Sequence, residues 1–210
     1  MSDYQLHSLV LASDYRVDDV ERMWSLLKQR RSHLASIGAH HVVVYSSTWE
    51  PGRVLVTIGI RHRRSVPELL RSPAIFEWFD AAGIDDIPAI FAGEVVEKID
   101  FYEPSPEDVV AGVIVGAVAS VDNVSALMDK VHGALDRFKR AGVRKIWVYQ
   151  AFDDGREVMI LTEIDNEASA RRWIDHPDAA AEWMASAGLG AYPTLFVGKF
   201  AHVMSVEAAG

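Results

Sequence analysis

Cysteine is absent from the 210 residues, which excludes disulfide scaffolds, thiolate metal sites and cysteine nucleophiles. Basic residues are in deficit: 21 Lys and Arg stand against 30 Asp and Glu, a formal net charge of −9. Nucleic-acid binders and anionic-membrane binders present a basic face, so neither partner is expected. Long apolar runs are missing too. The longest, VVAGVIVGAVASV from Val109 to Val121, falls short of the roughly 20 residues of a membrane span and reads as a buried strand. The opening MSDYQLHSLVLASDYR has no basic leader, and Asp14 breaks its apolar run. No signal peptide is expected, and a cytoplasmic protein is. GxGxxG, P-loop, GxSxG and HExxH patterns are all lacking, and with them the simplest routes to nucleotide, serine-hydrolase or zinc-protease chemistry.

What is present is ample apolar material. Half the residues are hydrophobic and 10% are aromatic, enough for a sizeable core. The chain also repeats itself. A shift of 104 lays SIGAHHVVVY on RAGVRKIWVY, with Gly38 over Gly142 and Tyr45 over Tyr149, and lays VDDV (Val17 to Val20) on VDNV (Val121 to Val124). A slip to 105 then aligns Glu77-Trp78 with Glu182-Trp183, and Pro88, Phe91 and Gly93 with Pro193, Phe196 and Gly198. Matches kept in order along nearly the whole chain indicate a tandem duplication. The expected organisation is residues 1–103, a linker at 104–108 within EPSPED, and residues 109–210.

Each half spells strand, helix, strand, strand, helix, strand. LHSLVLAS and VAGVIVGAVAS have strand character. Val20, Met23, Trp24, Leu27 and Leu34 recur at helical spacing, as do Val124, Leu127, Met128, Val131, Leu135 and Phe138. One continuous helix over VDDVERMWSLLKQRRSHLASIG is therefore expected, closed by Gly38, with Gly142 as its counterpart. HHVVVYSSTW and RVLVTIGIRH follow, joined through the turn signal EPG. Ser72-Pro73 and His176-Pro177 open the second helices, since proline is best tolerated at the first helical position. Ala82-Gly83 and Ala187-Gly188 close them. The Glu-Trp pairs belong to this punctuation rather than to a reaction.

A βαββαβ unit with this spacing has the ferredoxin-like arrangement, an antiparallel sheet with two helices on one face. The expected class is α+β: two tandem units whose antiparallel sheets pack into one α+β barrel. On this pattern the chain resembles the dimeric α+β barrel superfamily, with both halves fused in one polypeptide. The resemblance covers almost all residues and rests on architecture. It implies a small-molecule ligand and points to several activities: cofactor-independent monooxygenase, small-ring isomerase, haem-degrading or haem-binding protein, or a member without known activity. Fusion of the halves leaves monomer and homodimer both open.

Strand alternation sorts the candidates. Val42, Val44, Ile146 and Val148 suit the helix-covered face. His41, Val43, Tyr45, Ser47 and Trp49, with Lys145, Trp147 and Tyr149, occupy the opposite one. His41, Tyr45 and Tyr149 are the catalytic candidates, able to position or deprotonate a phenolic substrate. Trp49 and Trp147 are candidates for stacking on it. Arg61 is a candidate for an anion, and His62 beside it titrates near neutrality. None of the eight histidines falls in a metal-binding spacing, and adjacent His40 and His41 are expected on opposite faces of a strand, so no metal site is expected. No cofactor is expected either; haem is the alternative, since one imidazole suffices, with His176 and His202 as axial candidates. Three functional readings follow: an oxygenase or isomerase acting on an aromatic, polyketide-like or acyl ligand, a non-catalytic ligand-binding or stress-associated module, and a haem protein.

Overall fold

A computed structural model of the chain describes residues 9–61, 66, 70–71, 73–84, 88–102, 112–175 and 194–206. Among them the first half runs β1 (Leu9–Arg16), α1 (Val20–Gln29), α2 (Arg31–Ser36), β2 (Ala39–Ser47), β3 (Arg53–Ile60), α3 (Pro73–Ala82) and β4 (Ile90–Asp100). The second runs β5 (Val113–Ser120), α4 (Val124–Gly133), α5 (Leu135–Arg140), β6 (Val143–Ala151), β7 (Glu157–Ile164), α6 (Glu167–Asp175) and β8 (Phe196–Ser205). The order is the expected βαββαβ in each half. The fold is α+β.

By contacts the chain forms two compact units, Met1–Glu94 with Ala201–Gly210, and Val95–Phe200. In the first, β3 pairs antiparallel with both β1 and β2, and β4 pairs with β1 through Ile90 to Glu94. In the second, β7 pairs with both β5 and β6, and β8 pairs with β5 through Phe196 to Lys199. The EPSPED linker lies outside the described residues.

Local chemistry explains these elements. Asp19 and Asn123, equivalent positions 104 apart, cap α1 and α4. Their side chains accept from the Arg22 and Ala126 N–H groups at 3.0 and 3.1 Å. Gly38 and Gly142 take φ of 84° and 87° just past α2 and α5, the left-handed conformation glycine tolerates at a helix end. Between β2 and β3, Glu50 to Arg53 form a tight turn: Pro51 precedes Gly52 at φ 77°, and the Arg53 N–H donates to the Glu50 carbonyl at 3.1 Å.

The helix-facing side of the second unit's sheet is the apolar one. Val113, Val115, Ile146, Val148 and Val158 pack there with Leu127, Val131 and Phe138 into one cluster, each at most 6% exposed. Val42 and Val44 in the first unit are fully buried, and they pair with Ile58 and Val56.

Three expectations are corrected. The long helix is broken at Arg30 (φ −92°, ψ 12°) and, in the second half, at Ala134 (φ −108°, ψ 3°). These positions are equivalent, so the break belongs to the fold and not to one local sequence. Strand β1 continues past Ser13 to Arg16. Finally, the register of β2 on β3 shifts between Ala39 and His41, a β-bulge that places two residues opposite one. His40 and His41 therefore share a side instead of facing apart. Helix α6 is a further element not anticipated, lying ahead of His176-Pro177, which is outside the described residues.

Candidate functional site

The first unit holds a cavity of about 90 Å³, partly open to solvent, between its sheet and its helices. Leu11, Ser13 and Tyr15 of β1 supply one wall together with Val56 and Ile58 of β3. The pairing Leu11 to Ile58 and Ser13 to Val56 sets these side chains on the helix-facing side of the pleat. Leu27 and Leu34 close it from α1 and α2, and Trp78 and Phe79 from α3. Arg30, His33 and Ile37 line it as well. His33 is exposed and Arg30 half-buried, which puts them at the solvent-facing rim.

Three aromatic rings meet at this cavity. Tyr15 lies edge-on to Trp78 and Phe79, with centroids 5.6 and 6.1 Å away, and Trp78 meets Phe79 at 5.0 Å. The wall is almost wholly apolar, and two donors are buried beside it. Trp78 Nε1 is shielded from solvent and has no hydrogen-bond partner among the described residues. The Tyr15 hydroxyl reaches only the Met23 sulfur, at 4.0 Å, a weak acceptor. Burial drives the Tyr15 pKa well above the usual value near 10. Tyr15 is thus a neutral hydrogen-bond donor at any physiological pH and a poor base.

The two halves differ at this place. Leu34 has Phe138 as its counterpart, 4% exposed and packed on Trp173 at a centroid distance of 5.3 Å. Ser13 and Tyr15 have Ala117 and Ala119 at their equivalents. The larger Phe138 thus stands in the second half at the position from which Leu34 lines the cavity in the first.

The residues singled out from the sequence lie elsewhere. His41 and Tyr45 share the sheet face away from the helices, both half-buried. Four residues along an extended strand separate them by about 13 Å, so they do not meet at one reacting atom. The His41 and His40 rings do come together: their Nδ1 atoms are 2.9 Å apart. Tyr149, in the second unit, is 7% exposed, and burial pushes its pKa up to about 12. Trp147 is half-buried on the same face, and Trp49 is 37% exposed beside the β2–β3 turn. Arg61 donates to the carbonyls of Ala39 and Val206 at 3.0 and 3.3 Å. His62 and His176 lie outside the described residues. His202 stacks on Trp24, 4.8 Å between centroids and 7° from parallel. Its Nε2 lies 3.0 Å from a Glu21 carboxylate oxygen, at ion-pair distance but outside hydrogen-bond geometry.

Opposite the helices, β1 and β3 end in a charged cluster. Arg53 donates from Nε to Asp14 Oδ1 at 2.8 Å and also pairs with Glu50, while Arg16 pairs with Glu50 as well. The Arg53 pKa is raised, first by its hydrogen bond to Asp14. Among the described residues no group of three His, Asp or Glu side chains is placed to hold a metal ion.

Tyr15, Trp78 and Arg30 were not legible as site residues. Continuing the alternation Leu9, Leu11, Ser13 by one step would have reached Tyr15. Trp78 was absorbed into the repeated Glu-Trp pair, and nothing in sequence shows which rings meet across layers.

No protein-family model matches the chain, and no curated protein matches it in sequence. Solved structures do match in fold. An anthrone oxidase-like protein superposes with a TM-score of 0.69 at 13% identity, over 96% of this chain and 95% of that one. A ferredoxin-fold protein of Listeria monocytogenes 4b F2365, described as related to antibiotic biosynthesis monooxygenases, gives 0.52 at 9% identity, over 96% and 99%. A haem-degrading enzyme of Listeria monocytogenes gives 0.51 at 10% identity, over 92% and 99%. The fold is that of the dimeric α+β barrel proteins.

Proposed function

We propose that this protein takes a small aromatic or acyl molecule into the cavity of its first half and acts on it as an oxygenase or isomerase that needs no bound cofactor. The observation that carries the reading is the apolar cavity walled by Tyr15, Trp78 and Phe79, with the unpartnered Trp78 indole N–H buried beside it. Leaving such a group unsatisfied costs about 1–3 kcal/mol, and a ligand acceptor would recover it. Tyr15 supports the same reading, since its neutral hydroxyl would donate to a substrate carbonyl or phenol oxygen. Phe79, Leu11 and Ile58 would hold the body of the ligand.

In the oxygenase form dioxygen is the co-substrate. An activated methylene becomes a carbonyl, one oxygen atom entering the product and the other leaving as water. In the isomerase form a proton moves between two carbons and no oxidant is consumed. Hydrogen bonding from Tyr15 and Trp78 would stabilise the enolate or phenolate that either path passes through. The anthrone oxidase-like neighbour favours the first form by analogy of fold alone. His41, Tyr45 and Tyr149 are the alternative catalytic set; the spacing of His41 and Tyr45 along one strand and the burial of Tyr149 give them less support than the cavity.

The competing reading is a binding module without chemistry, because the cavity wall carries no carboxylate and its titratable side chains are Tyr15, Arg30 and His33. Incubation with anthrone under air separates the two. Oxygen uptake equal to the ketone formed, lost in Tyr15→Phe, supports the oxygenase. Saturable binding of the aromatic with neither oxygen uptake nor rearrangement supports the module. Binding unaffected by filling the cavity overturns both.

A further inference from the structure

We infer that the ligand of this cavity is an amphipathic organic acid: an aromatic or acyl body inside, and a carboxylate held at the rim by Arg30. The inference rests on the cavity reading above and adds the charge of the ligand to it.

Arg30 lines an apolar cavity yet is only half-buried, and among the described residues its guanidinium has no hydrogen bond or ion pair. Arg22, Arg31 and Arg137 are likewise without a side-chain partner among the described residues, so what sets Arg30 apart is its place at the cavity. His33 lines the same rim and is also without a side-chain partner among the described residues. Three residues apart across a helix break, the two side chains emerge on one side of α1 and α2.

Local sequence sharpens the contrast. From Lys28 to His33 the chain reads KQRRSH, three cations and an imidazole with no acid among them. Cations at the end of α1 complement the helix dipole, which accounts for Lys28. It does not account for Arg30 lining a cavity. Nor does the fold demand arginine there: the equivalent residue at the second break is Ala134, where the half carries Phe138 in place of Leu34.

A planar guanidinium is suited to a carboxylate, which it can take through two parallel N–H bonds. A phosphate monoester would fit the same group, but one cation and one imidazole at an otherwise apolar rim match a single negative charge better than two. The apolar wall below requires that the rest of the molecule be hydrocarbon.

The test uses the full chain and a matched pair of probes, 4-propylbenzoate and 4-propylbenzyl alcohol, titrated by calorimetry at neutral pH. The acid is expected to bind about tenfold or more tightly than the alcohol, the worth of one charge-assisted contact. Arg30→Met should remove that advantage and leave the alcohol's affinity unchanged, while Arg30→Lys should keep part of it. Leu34→Phe should abolish binding of both. Equal affinity for acid and alcohol in the wild type would overturn the assignment of an acid while leaving the cavity as a binding site. An equal loss of both probes in Arg30→Met would overturn it as well. If neither probe binds, the cavity reading fails and this inference fails with it.

Discussion

The Nδ1 atom of His41 lies 2.9 Å from Nδ1 of His40, and both rings lie over Gly59 on the neighbouring strand. A Cβ built on Gly59 would come within 2.2 Å of His41 Cε1 and 2.7 Å of His40 Nε2. The bulge between Ala39 and His41 makes this possible: it turns two adjacent imidazoles to one side, and only a glycine opposite leaves room for them. In the second half the equivalent bulge sets Lys145 against Glu163, 3.8 Å apart, so the same backbone device carries an ion pair there.

Gly59→Ala should destabilise the protein by about 1–3 kcal/mol, the usual cost of forcing atoms into an occupied space. His41→Ala in the same background should recover part of that loss, because His41 makes the closest approach. Urea unfolding of the two single variants and the double variant measures the coupling. Additive losses would show that the rings move aside without cost.

Leu34→Phe places in the first half the residue its counterpart Phe138 already supplies in the second. Filling the cavity should raise stability by about 0.5–1 kcal/mol and at the same time remove ligand binding. Thermal unfolding and calorimetry on one preparation check both effects. Binding that persists in this variant would place the ligand elsewhere.

Tyr149 gives the protein an alkaline limit. Its neutral form is favoured in the folded state, with the pKa pushed up to about 12 against about 10 in an unfolded chain. Below pH 10 neither state ionises and the full stability is present. Between about pH 10 and 12 the unfolded state loses its proton first, and stability falls by about 3 kcal/mol. Tyr149→Phe should lack this share of the decline. Urea midpoints at pH 9 and 11.5 for both proteins decide it, and parallel slopes would contradict the burial assigned to Tyr149.

Arg53→Met should cost about 1–3 kcal/mol by leaving Asp14 without its cation, while Glu50 keeps its pairing with Arg16. The Asp14 and Glu50 side chains are 34% and 39% exposed, so the loss should stay below that of a fully buried pair. Asp14→Asn combined with Arg53→Met should be less damaging than the sum of the two. A strictly additive double variant would mean that the pair contributes little.

Much of the fold was legible because it is written in local chemistry. Gly38 and Gly142 announce helix ends, and Pro51-Gly52 announces a turn. Each acts through its own backbone and needs no distant partner. The break at Arg30 carries no such signal, having neither proline nor glycine beside it. The bulge at His40 is silent for the same reason, since period-two alternation assumes a regular ladder. The cavity depends on which side chains of three layers meet, and on Leu34 being smaller than Phe138, a difference of packing and not of pattern. Only laying one half of the sequence on the other made that difference visible, by supplying an internal comparison for each position.

The most direct test of the cavity is the indole N–H resonance of Trp78. The chain has six tryptophans, and Trp78→Phe identifies its cross-peak in a ¹⁵N correlation spectrum by removing it. On titration with 4-propylbenzoate that peak should move saturably downfield as the shielded N–H gains an acceptor, while the peaks of tryptophans remote from the cavity hold still. A Trp78 peak that stays fixed while the ligand saturates another site would contradict the assignment of the cavity as the place where this protein binds its ligand.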